Sequence, residues 1–256
     1  MLSRRAPVFG VALGAHLVGT AIALVLAVVV GESAPTTADL AWSLLGGLVA
    51  GIGIAALYQA LAVGRMGVVA PVTGVIAALI PVTAGILLEG VPAPLVLVGI
   101  GLAVVAVILV SRVRDDRVAP SGLVLALVAG VSLGTLGVII AQLSESHAFG
   151  PLAIIRATGA VLIGVVIVIS RSAWRPERRL VPAISVVGVL DMAGLGAYIL
   201  AVQSGALAVA AVLSSLYPVT TVILAAIVLR ERVTRMHALG IGLAVGAIFC
   251  IAAGST

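Results

Sequence analysis

The chain has 256 residues, of which 62% are hydrophobic and only 9% are charged. A soluble domain typically carries about 25% charged residues, so this composition excludes a soluble fold and indicates that lipid surrounds most of the surface. The 14 basic residues are all arginines in short gaps between apolar runs, and aromatic residues make up only 3%, so the net charge of +5 does not indicate a nucleic-acid partner.

Apolar runs long enough to cross a bilayer follow one another along the whole chain, since about 20 helical residues span its hydrocarbon core. We predict helices, because backbone that faces lipid must satisfy its own hydrogen bonds. The nine predicted helices are 7–31, 40–62, 67–89, 93–111, 121–143, 148–170, 182–203, 206–229 and 235–253. The first apolar run is longer than the roughly 7–15 residues of a signal peptide, so we expect a retained helix.

The arginines separate strictly between the two sides of the predicted helices. Thirteen lie on the side of residue 1, and these are Arg4, Arg5, Arg65, Arg112, Arg114, Arg117, Arg171, Arg175, Arg178, Arg179, Arg230, Arg232 and Arg235. The gaps on the opposite side contain none. Because cytoplasmic loops of membrane proteins are rich in arginine and lysine, we predict a cytoplasmic N-terminus and an external C-terminus in the plasma membrane.

The chain contains an internal repeat. The hexapeptide GIGLAV at 99–104 recurs at 240–245, and the same separation of 141 residues places the first four predicted helices on the sixth to ninth. One such period contains five helices, an odd number, so the second copy must cross the membrane in the opposite direction.

We therefore predict an all-α polytopic membrane protein of about nine transmembrane helices in two inverted repeats of the five-helix type. The first repeat, 1–111, lacks one helix, and the second repeat is 121–256. Whether the chain begins late or the missing helix was lost stays open. Inverted repeats are typical of secondary transporters, whose substrate site lies near the bilayer midplane.

Three short stretches of the second half carry a family resemblance. The segments SSLYPVTT at 214–221, LRER at 229–232 and GIG at 240–242 resemble the second EamA repeat of the drug/metabolite transporter superfamily. The likeness covers 121–253 and is weaker over 7–111, where Ala77 stands at the repeat position of Pro218. It implies a ten-helix carrier of amino acids, metabolites or drugs, which is not an enzyme and needs no organic cofactor. The chain departs from this pattern in its helix count and in its predicted external C-terminus.

Two charged residues lie inside predicted helices. Asp191 is near the centre of 182–203, and Arg156 is about six residues inside 148–170. Ionisable groups at this depth usually face the interior of the helix bundle. Asp191 is either a coupling or substrate-binding carboxylate or a permanently paired structural acid. Arg156 is either its structural partner, which we favour, or the group that receives an anionic substrate.

Other polar residues complete the set of candidates for substrate binding or coupling. They are Tyr198, Gln142, Ser214, Tyr217 and Pro218, the last because a proline weakens one hydrogen bond of its helix. His16, His147 and His237 are far apart in sequence, and Cys250 is the only cysteine, so we predict no metal site and no disulfide within the chain.

The sequence predicts a secondary transporter, with export favoured, for a small metabolite, amino acid or drug. The alternative is a truncated or partner-dependent membrane subunit that does not transport. No sequence motif of a membrane enzyme or of a channel filter occurs. Association of two copies stays open.

Overall fold

The structure is a computed structural model that describes residues 7–63, 66–111, 120–203, 209–210, 213–214 and 235–254. These residues form eight α-helices and one short 3₁₀ turn, Arg178–Leu180, and within the ranges just given the chain contains no β-strand. The all-α prediction is confirmed for this part of the chain.

The helices agree with the predicted runs to within three residues at either end. Their bounds are α1 Val8–Val30, α2 Thr37–Val63, α3 Met66–Glu89, α4 Pro94–Ser111, α5 Pro120–Ile140, α6 Phe149–Ser170, α7 Val181–Gln203 and α8 Arg235–Gly254. The predicted helix 206–229 lies almost wholly outside the described residues, as do Tyr217 and Pro218.

The largest differences from the prediction have local polar causes. Helix α2 begins at Thr37 and not at 40, because Thr36 and Asp39 exchange hydrogen bonds across its first turn: the Asp39 N–H donates to Thr36 Oγ1 at 3.0 Å. This reciprocal arrangement is a capping box. Helix α5 ends at Ile140 and not at 143, because Gln142 and Leu143 turn back to bond the carbonyls of Ile139 and Ile140.

Five of the helical segments are long and apolar enough to cross a membrane. They are Phe9–Val30, Thr37–Ala60, Gly122–Ile140, Phe149–Ser170 and Arg178–Gln203. Their outward faces are apolar as well: Val28 is 80% exposed and Val168 is 76% exposed. In water such faces would cost about 25 cal/mol per Å² of apolar surface, so lipid is the solvent that they fit. The protein is a multi-pass membrane protein.

The chain divides into two compact units. The first unit comprises residues 1–58 and 135–205, and it contains α1, most of α2, α6 and α7. In this unit α1 packs against both α6 and α7. Its core consists of three clusters of buried apolar side chains, centred on Ile155 and Ile199, on Leu152 and Met192, and on Ile163.

The second unit comprises residues 59–134 and 206–256, and it contains α3, α4, most of α5 and α8. Helix α4 packs along α8 through small residues, among them Ala103, Ala106 and Ala247, which are fully buried. Helix α5 joins α3 through a hydrogen bond from Thr73 Oγ1 to the Ala126 carbonyl at 3.1 Å. Each unit therefore combines helices from both halves of the sequence.

Small residues bring α2 against α6 inside the first unit. A Cβ atom at Gly47 would lie 2.5 Å from Thr158 Cβ and 2.7 Å from the Ile155 carbonyl oxygen, and one at Gly51 would lie 2.7 Å from Leu162 Cδ2. The Gly47-xxx-Gly51 spacing thus serves contact within the chain, because glycine lets two helix backbones approach closely.

We predict that Gly47→Ala destabilises the protein, since the added methyl group meets rigid backbone at Ile155. Overpacking of this kind costs about 1–3 kcal/mol in the free energy of unfolding. Gly164→Ala is the matched control, because a Cβ at Gly164 meets nothing within 4 Å; we expect its change to stay within about 1 kcal/mol. Thermal unfolding of the two variants in the same detergent measures the difference, and equal stability of both variants would refute the proposed packing.

Candidate functional site

Arg156 and Asp191 meet in the first unit. Arg156 Nη1 donates a hydrogen bond to Asp191 Oδ2 in an ion pair, and Nη2 donates to the Asp191 backbone carbonyl at 3.3 Å. The Arg156 side chain is 7% exposed and that of Asp191 is 48% exposed. The guanidinium is therefore enclosed by protein, while one side of the carboxylate is open.

The pair lies deep within its two helices. Gln203, at the end of α7, donates from Nε2 to the carbonyl of Ser144 at 3.1 Å, so the end of α7 adjoins the segment that leads into α6. From this end Arg156 lies about 10 Å along α6 and Asp191 about 18 Å along α7, at a rise of about 1.5 Å per residue. The length of the arginine side chain bridges this difference in depth. Helix α7 has 23 residues, so Asp191 lies near the middle of this helix.

Helix α1 encloses Arg156 from the other side. A Cβ atom at Gly19 would lie 3.5 Å from Arg156 Cδ and 3.6 Å from its Nε, so the arginine stem runs directly over this glycine. Within the described part of the chain, Nε of Arg156 has no hydrogen-bond partner although it is buried. The pair with Asp191 thus leaves one donor of the guanidinium unused.

The remaining candidates lie apart from this ion pair. Tyr198, two helical turns beyond Asp191 on α7, packs half-buried against the cluster around Ile155 and Ile199. Gln142 is exposed in the turn after α5 and not inside a helix. Ser214 is helical and exposed, and it belongs to the second unit. Arg156 and Asp191 are thus the two candidates that the structure joins in an ion pair.

A second polar group, which we call the loop cluster, consists of Glu32, Ser33, Thr36, Asp39, Ser144, His147 and Gln203. Its centre is Asp39, which is 2% exposed. Asp39 Oδ1 accepts the Ser144 backbone N–H at 2.9 Å, and Oδ2 accepts the Ser144 hydroxyl at 2.7 Å. These bonds join the start of α2 to the loop after α5, across 105 residues of sequence.

His147 fills the space beside Asp39 in the loop cluster. Its Nδ1 lies 3.0 Å from Ser144 Oγ and 3.5 Å from Asp39 Oδ2, and its Nε2 lies 2.9 Å from Ser33 Oγ. Because the Ser144 hydroxyl donates to Asp39, its oxygen accepts from the His147 Nδ1–H. The other ring nitrogen, Nε2, forms a hydrogen bond with the Ser33 hydroxyl. The imidazole joins the loop after α1 to the loop after α5.

Glu32 caps the N-terminus of α6. Its carboxylate oxygens accept the backbone N–H groups of Ala148, Phe149 and Gly150 at distances from 2.7 to 3.1 Å. Burial, the largest single effect, raises the pKa of Glu32, but the three N–H groups and the nearby His147 together outweigh it and hold the pKa below the usual 4.5. The charge also complements the positive end of the helix dipole.

An open groove of about 360 Å³ lies between α1 and α6 and begins at the loop cluster. Its loop end is lined by Glu32 and Ser33, and the deep end is lined by Thr20 and Ala157. Neither Arg156 nor Asp191 is among its lining residues. The other lining residues are mostly apolar.

Comparison with known proteins identifies the class of this chain. The EamA-like transporter family matches residues 120–253, which is slightly more than half of the sequence. The chain belongs to the EamA-like transporter family. The family places it among the membrane transporters of the drug/metabolite superfamily, as the sequence motifs predicted. None of the curated proteins compared with the chain matches it.

A solved structure shows the same fold. One crystal structure of a protein superposes with a TM-score of 0.80 at 17% sequence identity, covering 97% of this chain and 88% of the other. At this identity the likeness concerns the fold alone. The family match includes Arg156 and Asp191, whereas Gly19 lies before the matched range.

Sequence reasoning missed the loop cluster, although one signal for it was present. Thr36 and Asp39 are three residues apart just before an apolar run, which is the sequence pattern of a capping box. The partners Ser144 and His147 carry no such signal, because their contacts depend on how two distant loops meet.

We predict that Glu32→Gln lowers the free energy of unfolding by about 1 kcal/mol at neutral pH, because the amide keeps an acceptor oxygen but loses the charge at the helix N-terminus. The folded-state pKa of Glu32 is depressed, so its stabilising effect is present above the ordinary value of 4.5 and is lost as the pH falls below it. In thermal unfolding, the variant should therefore be less stable than the wild type at neutral pH. At acidic pH the two proteins should be equally stable. Glu145→Gln, at an exposed position in the loop between α5 and α6, is the control; a pH-independent effect of Glu32→Gln would contradict the explanation.

Proposed function

We propose that the chain is a secondary carrier that moves a small metabolite, amino acid or drug across the plasma membrane, with export as the favoured direction, by alternating access. The observation that carries the proposal is the enclosed Arg156–Asp191 pair near the middle of two apolar helices of an EamA-like transporter. Ionisable residues at this depth are costly, and in membrane proteins they mark substrate or ion pathways.

The geometry of the pair supports a role beyond packing. Asp191 is about half exposed, so its carboxylate is open on one side, and Arg156 has a buried Nε without a partner among the described residues. A pair that served structure alone would be expected to satisfy both groups. We propose that Arg156 receives an anionic group of the substrate and that Asp191 either binds a cationic group or takes up a proton.

Variants of the pair distinguish a functional role from a structural one. Removing one partner leaves the other charge uncompensated, so Arg156→Met and Asp191→Asn alone should each destabilise the protein. The double variant removes both charges and should regain most of the stability. Should the pair serve only structure, the double variant would also regain transport. We expect instead that its transport stays at least about tenfold below the wild type, which corresponds to ~1.4 kcal/mol.

The assay is uptake into vesicles containing the purified full chain, with a panel of labelled amino acids, carboxylates and amines, in parallel with thermal unfolding. The matched control is Arg179→Gln with Glu177→Gln, because this second arginine–carboxylate pair is exposed in the loop before α7. We expect the control to transport like the wild type. Transport by the Arg156 and Asp191 double variant at the wild-type rate would refute the functional role of the pair, and no uptake of any panel member by the wild type would refute the carrier.

The predicted orientation stays a proposal as well. The loop 171–180, which precedes α7, contains four exposed arginines, whereas the loop cluster at the opposite ends of α6 and α7 contains none. By the positive-inside rule we propose that loop 171–180 is cytoplasmic and the loop cluster external. A reporter fused after Thr256 that is active only outside the cytoplasm should then give a signal, and the reverse pattern would overturn the orientation.

A further inference from the structure

Helices α1 and α6 contact each other at two places, and at each place a polar side chain of one helix lies over a glycine of the other. On α1, His16 and Gly19 are three residues apart, and on α6 Arg156 and Gly159 have the same spacing, so each pair lies on one helix face. A Cβ atom at Gly159 would lie 2.9 Å from His16 Cδ2 and 3.0 Å from its Nε2, and the stem of Arg156 lies over Gly19. The imidazole therefore lies beside the helix turn that carries Arg156.

The hydrogen bonding of His16 leaves one nitrogen able to take a proton. Its Nδ1 lies 3.0 Å from the Ala12 carbonyl oxygen, which can only accept, so Nδ1 carries the hydrogen and Nε2 carries the lone pair. Nε2 faces Gly159, and the side chain is 5% exposed. A histidine is the side chain whose ordinary titration falls in the physiological range.

Titratable and charged groups lie on the helices around this imidazole. Arg156 of α6 lies one turn before Gly159, which the imidazole covers, and it holds Asp191 of α7 in an ion pair. From α2, Tyr58 packs against the neighbouring cluster that contains Ala12 and Ile163. Helix α1 itself contributes no other titratable group between Val8 and Val30.

We propose that His16 is the proton-binding residue of the site and that its charge controls how firmly Arg156 holds Asp191. The proposal rests on the carrier function argued above. When Nε2 takes a proton, a second cation lies beside the guanidinium, repels it and attracts the carboxylate. When the proton leaves, Arg156 regains Asp191 as its only charged neighbour on these helices.

The consequence is that proton and substrate binding are linked through one carboxylate. Asp191 can share its charge between His16 and Arg156, and a loosened Arg156 has a free donor face for an anionic group. Linkage of this kind is reciprocal, so a bound anion on Arg156 also favours the proton on His16.

The test is nuclear magnetic resonance of the full chain in lipid nanodiscs, with nitrogen-labelled histidine and the proton itself as the probe. The His16 signal is the one that is absent from the spectrum of His16→Gln. Should this variant misfold, His147→Gln and His237→Gln identify the other two histidine signals, and the remaining signal belongs to His16. We expect the His16 ring to change from neutral to charged as the pH is lowered across the range in which the protein stays folded. Asp191→Asn removes an anion and Arg156→Gln removes a cation, so the two should move the titration midpoint in opposite directions.

Labelled arginine extends the test to the partner. The Arg156 Nε signal is the one that disappears in Arg156→Gln. Its chemical shift should change with pH at the same midpoint as the His16 ring, whereas the shift of the Arg179 signal, assigned through Arg179→Gln, should not. A His16 ring that stays neutral across this range would overturn the proposal, because the residue would then only pack and bond to Ala12. An Arg156 signal whose chemical shift does not change when His16 is protonated would overturn the link between the two residues.

A transport measurement separates this proposal from the carrier function. For a panel member that the wild type carries, His16→Gln should reduce uptake driven by a pH gradient at least about fivefold while exchange of labelled for unlabelled substrate without a gradient continues. His147→Gln, which removes a buried imidazole of the loop cluster, should keep the ratio of the two rates. Unchanged gradient-driven uptake in His16→Gln would overturn the role of His16 alone, whereas a wild type without any uptake would overturn the carrier and the coupling role with it.

Discussion

A guanidinium inside an apolar helix bundle has to be compensated, and much of the first unit follows from that constraint. Arg156 cannot lose its charge in a protein, and burying an unpaired charge costs several kcal/mol. Asp191 on α7 provides the counter-charge, and Gly19 on α1 provides the space for the arginine stem. The position of the polar pair therefore depends on the close approach of α1, α6 and α7, and the two features are not independent.

The helices were predictable because the bilayer sets their length. Runs of about 20 apolar residues fix where each helix lies, and eight of the nine predicted runs were found with ends shifted by at most three residues. The shifts occur where a side chain bonds to backbone, as at Thr36 and Asp39, or where the chain turns back, as at Gln142. Hydrophobicity does not report such local hydrogen bonds, so it places a helix better than it places its ends.

The site was predictable only in part, for a related reason. Arg156 and Asp191 stand out because charge is rare in an apolar run, and their similar depth suggests that they meet. His16 and Ser144 do not stand out, since α1 is apolar on all sides and the hydrophobic pattern does not show which of its faces meets α6. Contacts such as Asp39 with Ser144, 105 residues apart, require the packing of the whole unit.

The spacing of the helices bears on whether the ion pair is part of the scaffold. Val8 and Phe149 begin α1 and α6, Pro94 and Arg235 begin α4 and α8, and both pairs are 141 residues apart, the separation of the sequence repeat. At that separation, Ala15 corresponds to Arg156 and Ala50 corresponds to Asp191, and both alanines are buried. At the separation of 141 residues, the first half thus has buried alanines where the second half has the charged pair. Helix packing at such positions does not by itself require charge, which supports the role that we propose for Arg156 and Asp191.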